Sequence, residues 1–394
     1  MCPEATRAKR RENAMTHLAA HPSPQPGLRK EDLTAGVATP RFATLGEIHA
    51  AALARLVPEL VDYLEGGAGQ EVSIRRNRQV FERWAFKPRA MSGSQPAVTA
   101  TSFMGIPLSL PVLTAPFGGD GLFDVDGQLA VRRANRRFGT ASIVPEAGSH
   151  SLEANAAVAP GTGAIGQLHP MGTDANFLDV VSRYERAGYR GLCVTVDCPT
   201  AGWRERNKRN RWSPPVDVLA GNYPSTSEAL TAAFGQLFTH DKAVWTWEHL
   251  GGLLGETSLP WMAKGILSVE DAQEAIAAGA SALLVSNHGG RQLDCVLAPI
   301  EALPPIRAAV GDDIEIALDS GIRNGTDVLK ALSLGADAVV IGRLAIYGVC
   351  ADGEEGVMRT LELLSNEIRQ ALPLIGKTSV HELGADNMID LREV

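Results

Sequence analysis

Eight short apolar runs, each followed by a stretch with helical character, set the tightest limit on how this chain can fold. They are Pro111–Pro116, Thr140–Val144, Ala164–Leu168, Leu192–Asp197, Trp261–Lys264, Leu283–His288, Ile314–Asp319 and Ala338–Gly342. Apolar runs of this length bounded by turn residues read as strands buried on both faces. The segments between them are helical: Val269–Gly279 ends on a glycine suited to a helix stop, and Thr326–Leu332 repeats the arrangement. A doubly wound open sheet would give the same alternation. Eight β-α units, with glycine-bearing turns after the last two strands, favour a closed parallel (β/α)8 TIM barrel.

The 394 residues are 45% hydrophobic, enough for one large core. Residues 1–43 mix a basic cluster with Pro-rich sequence and lack apolar periodicity, which reads as a mobile N-terminal arm before a single domain over 44–394. Leu45, Ile48, Ala52 and Leu56, then Leu60, Val61, Tyr63 and Leu64, predict two short helices as an N-terminal helical segment ahead of the barrel. The connection from Asp197 to Trp261 far exceeds an ordinary loop and is expected to form a lid with its own helix near Trp245–Leu254.

A net charge of −8 offers no field for nucleic acid or an anionic membrane. No apolar run reaches the roughly 20 residues of a bilayer span, and no apolar leader follows the basic N-terminal residues, so a cytoplasmic protein is expected. Five cysteines without CxxC spacing read as reduced packing residues, with no metal-ligand pattern.

In a barrel of this kind chemistry sits at the C-terminal ends of the strands. Strand one ends at Pro116-Phe117-Gly118, strand three at Gln167, strand four at Thr195-Val196-Asp197, strand five at Lys264 and strand six at Ser286-Asn287-His288. Strand seven gives Asp319-Ser320-Gly321-Ile322-Arg323 and strand eight Gly342-Arg343. The last two resemble a phosphate site, with glycines for close backbone approach, two arginines, and a helix N-terminus at Gly325-Thr326. A lysine inside a barrel requires an anionic partner. His288, followed by Gly289-Gly290-Arg291, pairs a group that titrates near neutrality with a fork of donors suited to a carboxylate.

The string Ser286-Asn287-His288-Gly289-Gly290-Arg291-Gln292, together with Thr195-Val196-Asp197-Cys198-Pro199 and Gly202-Trp203-Arg204, resembles the active-site motifs of the FMN-dependent 2-hydroxy-acid oxidases and dehydrogenases. The resemblance spans roughly residues 44–390. It implies FMN, with its phosphate and ribityl chain at the strand seven and eight turns, Gln167, Thr195 and Ser286 on the isoalloxazine ring, and Lys264 beside N1 and the C2 carbonyl. It further implies His288 as base, Asp197 as its partner, and Arg204, Arg291 and Tyr63 on the substrate carboxylate. A small residue at Gly118 shapes access beside the flavin.

The expected reaction is oxidation of a 2-hydroxy acid to the 2-keto acid, with reoxidation by O2 or another acceptor, in a homo-oligomer, a tetramer by resemblance. Several positions depart from the family pattern. His169 stands where a tyrosine near the substrate hydroxyl is usual, making it a candidate catalytic residue. Pro145 replaces a flavin-facing serine, Asp124-Val125-Asp126-Gly127 stands for His-Pro-Glu-Gly, and Leu344 follows Arg343 where proline is usual. Ala147 and Ala201 replace larger residues, which predicts a bulky or aromatic substrate. The rival readings are a flavin-bound isomerase of the type 2 isopentenyl diphosphate kind, and a flavin-binding protein with altered chemistry.

Overall fold

The computed structural model describes residues 41–93, 95–224, 226–237 and 244–393. The expected arm therefore lies, but for its last three residues, outside the described residues. Eight parallel strands close into a barrel: β1 (Val112–Thr114), β2 (Ser142–Val144), β3 (Ala164–Leu168), β4 (Gly191–Thr195), β5 (Trp261–Ile266), β6 (Ala282–Val285), β7 (Glu315–Leu318) and β8 (Ala338–Ile341). Each lies within the corresponding apolar run or overlaps it by all but two residues at most. Strand β8 returns to β1 through Val339↔Val112, Val340↔Leu113 and Ile341↔Thr114, so no sheet edge is left among the barrel strands.

The twofold alternation of a strand explains the placement of the site. Leu113, Ile143, Ile165, Cys193, Met262, Leu284, Ala317 and Val340 fill the barrel interior as one buried cluster. Two residues further along, the same face carries Ala115, Pro145, Gln167, Thr195, Lys264, Ser286, Asp319 and Gly342. Apolar packing at one level thus delivers polar groups at the next. An antiparallel hairpin, Thr101–Phe103 with Ile106–Leu108, joins the interior cluster through Phe103, Ile106 and Leu108.

Among the described residues three α-helices, not two, precede the barrel: α1 (Leu45–Leu53), α2 (Pro58–Glu65) and α3 (Val72–Gln79). The third has no apolar stripe. It is held by polar tertiary contacts: Asp294 accepts from Val72 N and Ser73 N, Arg76 pairs with Glu301, and Asn77 exchanges hydrogen bonds with Asn287 at 2.8 and 2.7 Å. A reading based on hydrophobic periodicity misses such a helix. It equally misses the antiparallel pairing of Trp84–Phe86 with Met388–Asp390, two strands at opposite ends of the chain.

The connection after β4 carries helices Glu205–Asn210, Ser227–Phe234 and Trp247–Leu254; the last begins two residues later than expected because Thr246 caps it, accepting from His249 N. Of the described cysteines, Cys193, Cys198 and Cys350 are buried, as packing residues would be, but Cys295 is exposed.

Candidate active site

A cavity of about 530 Å3 opens at the C-terminal ends of the strands, a size typical of small-molecule sites. Its walls include Pro116, Phe117, Gly118, Gln167, Thr195, Lys264, Asp319, Ser320, Gly321, Arg323, Gly342 and Arg343, joined by Tyr63, His169, Arg204, His288 and Arg291. Two of the expected residues stand behind the wall. Ser286 is fully buried and accepts from His288 N at 3.0 Å, bracing the imidazole's backbone. Asp197 lies behind His288, accepting from Nδ1 at 3.1 Å.

His288 occupies a strained position. Its φ is +57°, in the left-handed region, and Gly289 and Gly290 continue there at +67° and +74°. A Cβ on Gly290 would lie 2.8 Å from Ile74 N, so the turn closes against α3 only with glycine. The turn brings Arg291 back beneath Tyr63, donating to the Tyr63 and Gly66 carbonyls with the guanidinium 4.9 Å from the Tyr63 ring centroid.

The electrostatics of the His288 group follow from burial and one lysine. Lys264 Nζ stands 3.4 Å from His288 Nδ1 and 4.0 Å from Asp197 Oδ1. Nδ1 cannot both donate to the carboxylate and accept from the ammonium; the shorter contact assigns its proton to Asp197. Burial and the Lys264 charge hold His288 down at about 4, so the imidazole is neutral at pH 7. Burial opposes ionisation of Asp197, but Lys264 and His288 outweigh it and bring its carboxyl to about 2. Burial opposes the charge on Lys264 as well, and Asp197 and Asp319 more than restore it. Ion pairing of Asp197 runs to His288 and Lys264, not to Arg204.

Two pairs of guanidinium groups line the cavity without a carboxylate partner among the described residues. Arg343 donates only to the Leu64, Gly66 and Gly289 carbonyls; burial and neighbouring Arg323 lower it to about 10. Arg291 is lowered well below its ordinary value by burial and by Arg204. Buried cations in this condition require anions. The helical span Arg343–Leu374, broken by non-helical backbone at Asp352 and Gly353, begins at the Arg343 pair, where Gly342 and Arg343 reach the wall, so the N-terminus of its first part adds to the attraction. The helix expected to assist at Gly325-Thr326 does not: Gly325 N is taken by Glu367 and Asp327 N by Asn324. Arg291 and Arg343 share the Gly66 carbonyl, so the two anion-demanding pairs adjoin, and polar Gln167, Thr195 and Lys264 line the same cavity, which fits a cofactor with a phosphate and a polar ring edge beside an anionic substrate.

Glu146 was not singled out by the sequence. It lies two residues past β2, the one strand for whose end the sequence offers no candidate, and is only 5% exposed. Its carboxylate accepts from His169 N and His169 Nδ1, both at 2.9 Å, and from the Tyr223 hydroxyl. Much of the remaining wall comes from the connection after β4, including Pro214, Val216, Leu219, Leu230, Phe234 and Leu237.

Residues 52–390 match the family model described as FMN-dependent dehydrogenase. The chain is 40% identical to 4-hydroxymandelate oxidase of Amycolatopsis orientalis over 86% of this chain and 96% of that one. It is 38% identical to L-lactate oxidase of a Nostoc strain, covering 82% and 91%. The crystal structure of mandelate oxidase with (S)-2-phenylpropionate superposes with a TM-score of 0.80 at 39% identity, covering 88% of this chain and 98% of that one. The fold, the paired anion sites and these matches agree: the chain belongs to the FMN-dependent dehydrogenase family, oxidoreductases that carry FMN.

Proposed function

We propose that this protein oxidises an aryl-substituted 2-hydroxy acid to the corresponding 2-keto acid and passes the electrons to O2. The observation that carries the reading is the juxtaposition of Arg291 and Arg204, cations without a carboxylate, with the neutral His288 held by Asp197. The arginines and the Tyr63 hydroxyl hold the substrate carboxylate. His288 takes a proton as the C2 hydrogen leaves, and Asp197 stabilises the imidazolium that forms. FMN supplies a two-electron sink. Arg323 and Arg343 would hold its phosphate, Gln167 and Thr195 its ring edge, and Lys264 would stabilise negative charge on the reduced ring.

An aryl side chain suits the apolar walls of Leu219, Leu230, Phe234 and Leu237 and the space left by Ala147 and Ala201. The isomerase reading is not favoured: a diphosphate substrate would want magnesium-binding carboxylates where this cavity has Arg291 and Arg204. Cytoplasmic location and a homo-oligomeric state are inferred from cysteine usage and the family resemblance. Anaerobic mixing with a panel of 2-hydroxy acids tests the reading. Mandelate-type acids bleach the flavin with a higher kcat/KM than lactate or glycolate; a better showing by the small acids would reject the aryl assignment.

A further inference from the structure

The cavity contains a second imidazole held by a second buried carboxylate. His169 follows β3 directly and lines the cavity. Its backbone N–H and its Nδ1 both meet Glu146 Oε2 at 2.9 Å, so ring and main chain are clamped by one oxygen. The other oxygen, Oε1, accepts the Tyr223 hydroxyl. A carboxylate only accepts, which places a ring proton on Nδ1, so that in the neutral ring Nε2 is the acceptor. Gln167 Nε2 lies 3.4 and 3.3 Å from the two ring nitrogens, so the amide rests against the ring rather than capping Nε2. Phe234 meets the ring edge-on at 6.1 Å and fixes its plane.

The polar row along the strand ends is thus closed at both ends by the same device. It runs from Glu146 and His169 through Gln167, Thr195 and Lys264 to His288 and Asp197. A 2-hydroxy acid loses two hydrogens on oxidation, one from C2 and one from its hydroxyl. We infer that His169 is the second catalytic base, receiving the hydroxyl proton while His288 receives the C2 proton, with Glu146 and Tyr223 as its positioning residues. In this scheme the C2–H and O–H bonds break, the C2=O bond forms, and the electron pair passes to FMN. The C2 proton leaves His288 for the reduced cofactor, which takes up one proton with its electron pair, and the hydroxyl proton rests on His169 until O2 takes both electrons and both protons as H2O2. The inference rests on the 2-hydroxy-acid reading and adds a division of labour to it.

The test uses the FMN-loaded protein and two acids that cannot be oxidised. 2-Hydroxy-2-phenylpropionate has no C2 hydrogen; 2-phenylpropionate has that hydrogen but no hydroxyl to lose. Binding of each is followed by perturbation of the flavin spectrum. His169→Phe keeps the ring shape against Phe234 and should weaken the hydroxy acid roughly five- to tenfold, as loss of one hydrogen bond implies, while the deoxy acid changes less than about twofold. Anaerobic bleaching by mandelate should slow by about 10²-fold or more. Glu146→Gln, which preserves the shape of the clamp but removes its charge, should move both readouts in the same direction by less, and it carries the test if the phenylalanine variant fails to hold FMN. Equal weakening of the two analogues, or a bleaching rate within about twofold of wild type, overturns the inference. A wild-type protein bleached by no 2-hydroxy acid would instead overturn the reading of function itself.

Discussion

The two halves of the cavity wall are built on different principles. The half supplied by strand ends is polar and buried: Gln167, Thr195, Lys264 and Asp319 are each 7% exposed or less, on backbone fixed by the barrel's hydrogen-bonded ladders. The half supplied by the connection after β4 is, Arg204 apart, mainly apolar and seated by a few side chains, with Ser149 donating to the Val218 carbonyl at 2.7 Å and Asn222 to the Glu146 carbonyl at 2.7 Å. Groups that must hold or move a proton to within fractions of an ångström sit on the rigid half. Groups that need only exclude water and fit a side chain sit on the other. If this division is real, substitutions in the first half change the rate of flavin reduction, and substitutions in the second change substrate preference.

The largest effect belongs to His288. His288→Asn tolerates the left-handed backbone at this position while removing the base, so the fold and bound FMN should be retained. The rate of anaerobic bleaching should drop by about 10³-fold, within the range for loss of a general base. Near-normal bleaching would move the base elsewhere and dissolve the contrast between the halves.

Lys264 comes next, at about 10²-fold for a methionine replacement, the scale of losing a fixed charge that stabilises a developing anion. Its pH dependence is the sharper readout. His288 sits at about 4, below its ordinary range, because of burial and the Lys264 charge, so activity is lost on acidification as the imidazole protonates through that value. Removing the ammonium takes away a cause that disfavours imidazolium, and the pKa of His288 rises. The acid limb of the bleaching rate in Lys264→Met should therefore move to higher pH. A limb that stays in place, or moves down, would show that Lys264 does not act on His288.

The rigid half was the legible one. Each barrel strand was visible as an apolar run, and twofold alternation carries the reader from Cys193 to Thr195 and from Met262 to Lys264 without further information. Glu146 escaped because it follows Pro145 just beyond an apolar run, where a single carboxylate looks like any solvated loop residue. The apolar half escaped for another reason. Leu219 comes from one short element, and Leu230 and Phe234 from another; each is too brief for its periodicity to register, and their convergence on one wall is a tertiary fact. Helix α3, whose buried residues are Ser73 and Asn77, shows the same limit in polar form.

Ala147 tests the specificity side at intermediate size. It stands where the two halves meet, in van der Waals reach of Gly118, and packs with the cluster of Leu230 and Phe234. Ala147→Trp fills the space that a phenyl ring would occupy. It should lower kcat/KM for mandelate by at least about tenfold and leave lactate within about threefold, the scale on which an apolar pocket discriminates by size. Equal losses for both acids would place the substrate side chain elsewhere.

The smallest expected effect probes how the apolar half is held. Ser149→Ala deletes the hydroxyl that donates to Val218 and accepts from Gly121 N, one of the ties between the connection and the loop after β2. A neutral hydrogen bond of this kind contributes about 1 kcal/mol, equivalent to roughly a fivefold change in an equilibrium constant. Because the tie positions wall residues and no proton-carrying group, the cost should appear as a rise of up to about fivefold in KM for mandelate. The rate of bleaching at saturating substrate should remain within about twofold of wild type. A fall in that rate with KM unchanged would mean that the connection positions the reacting groups as well, and that the strand ends do not suffice to organise the chemistry.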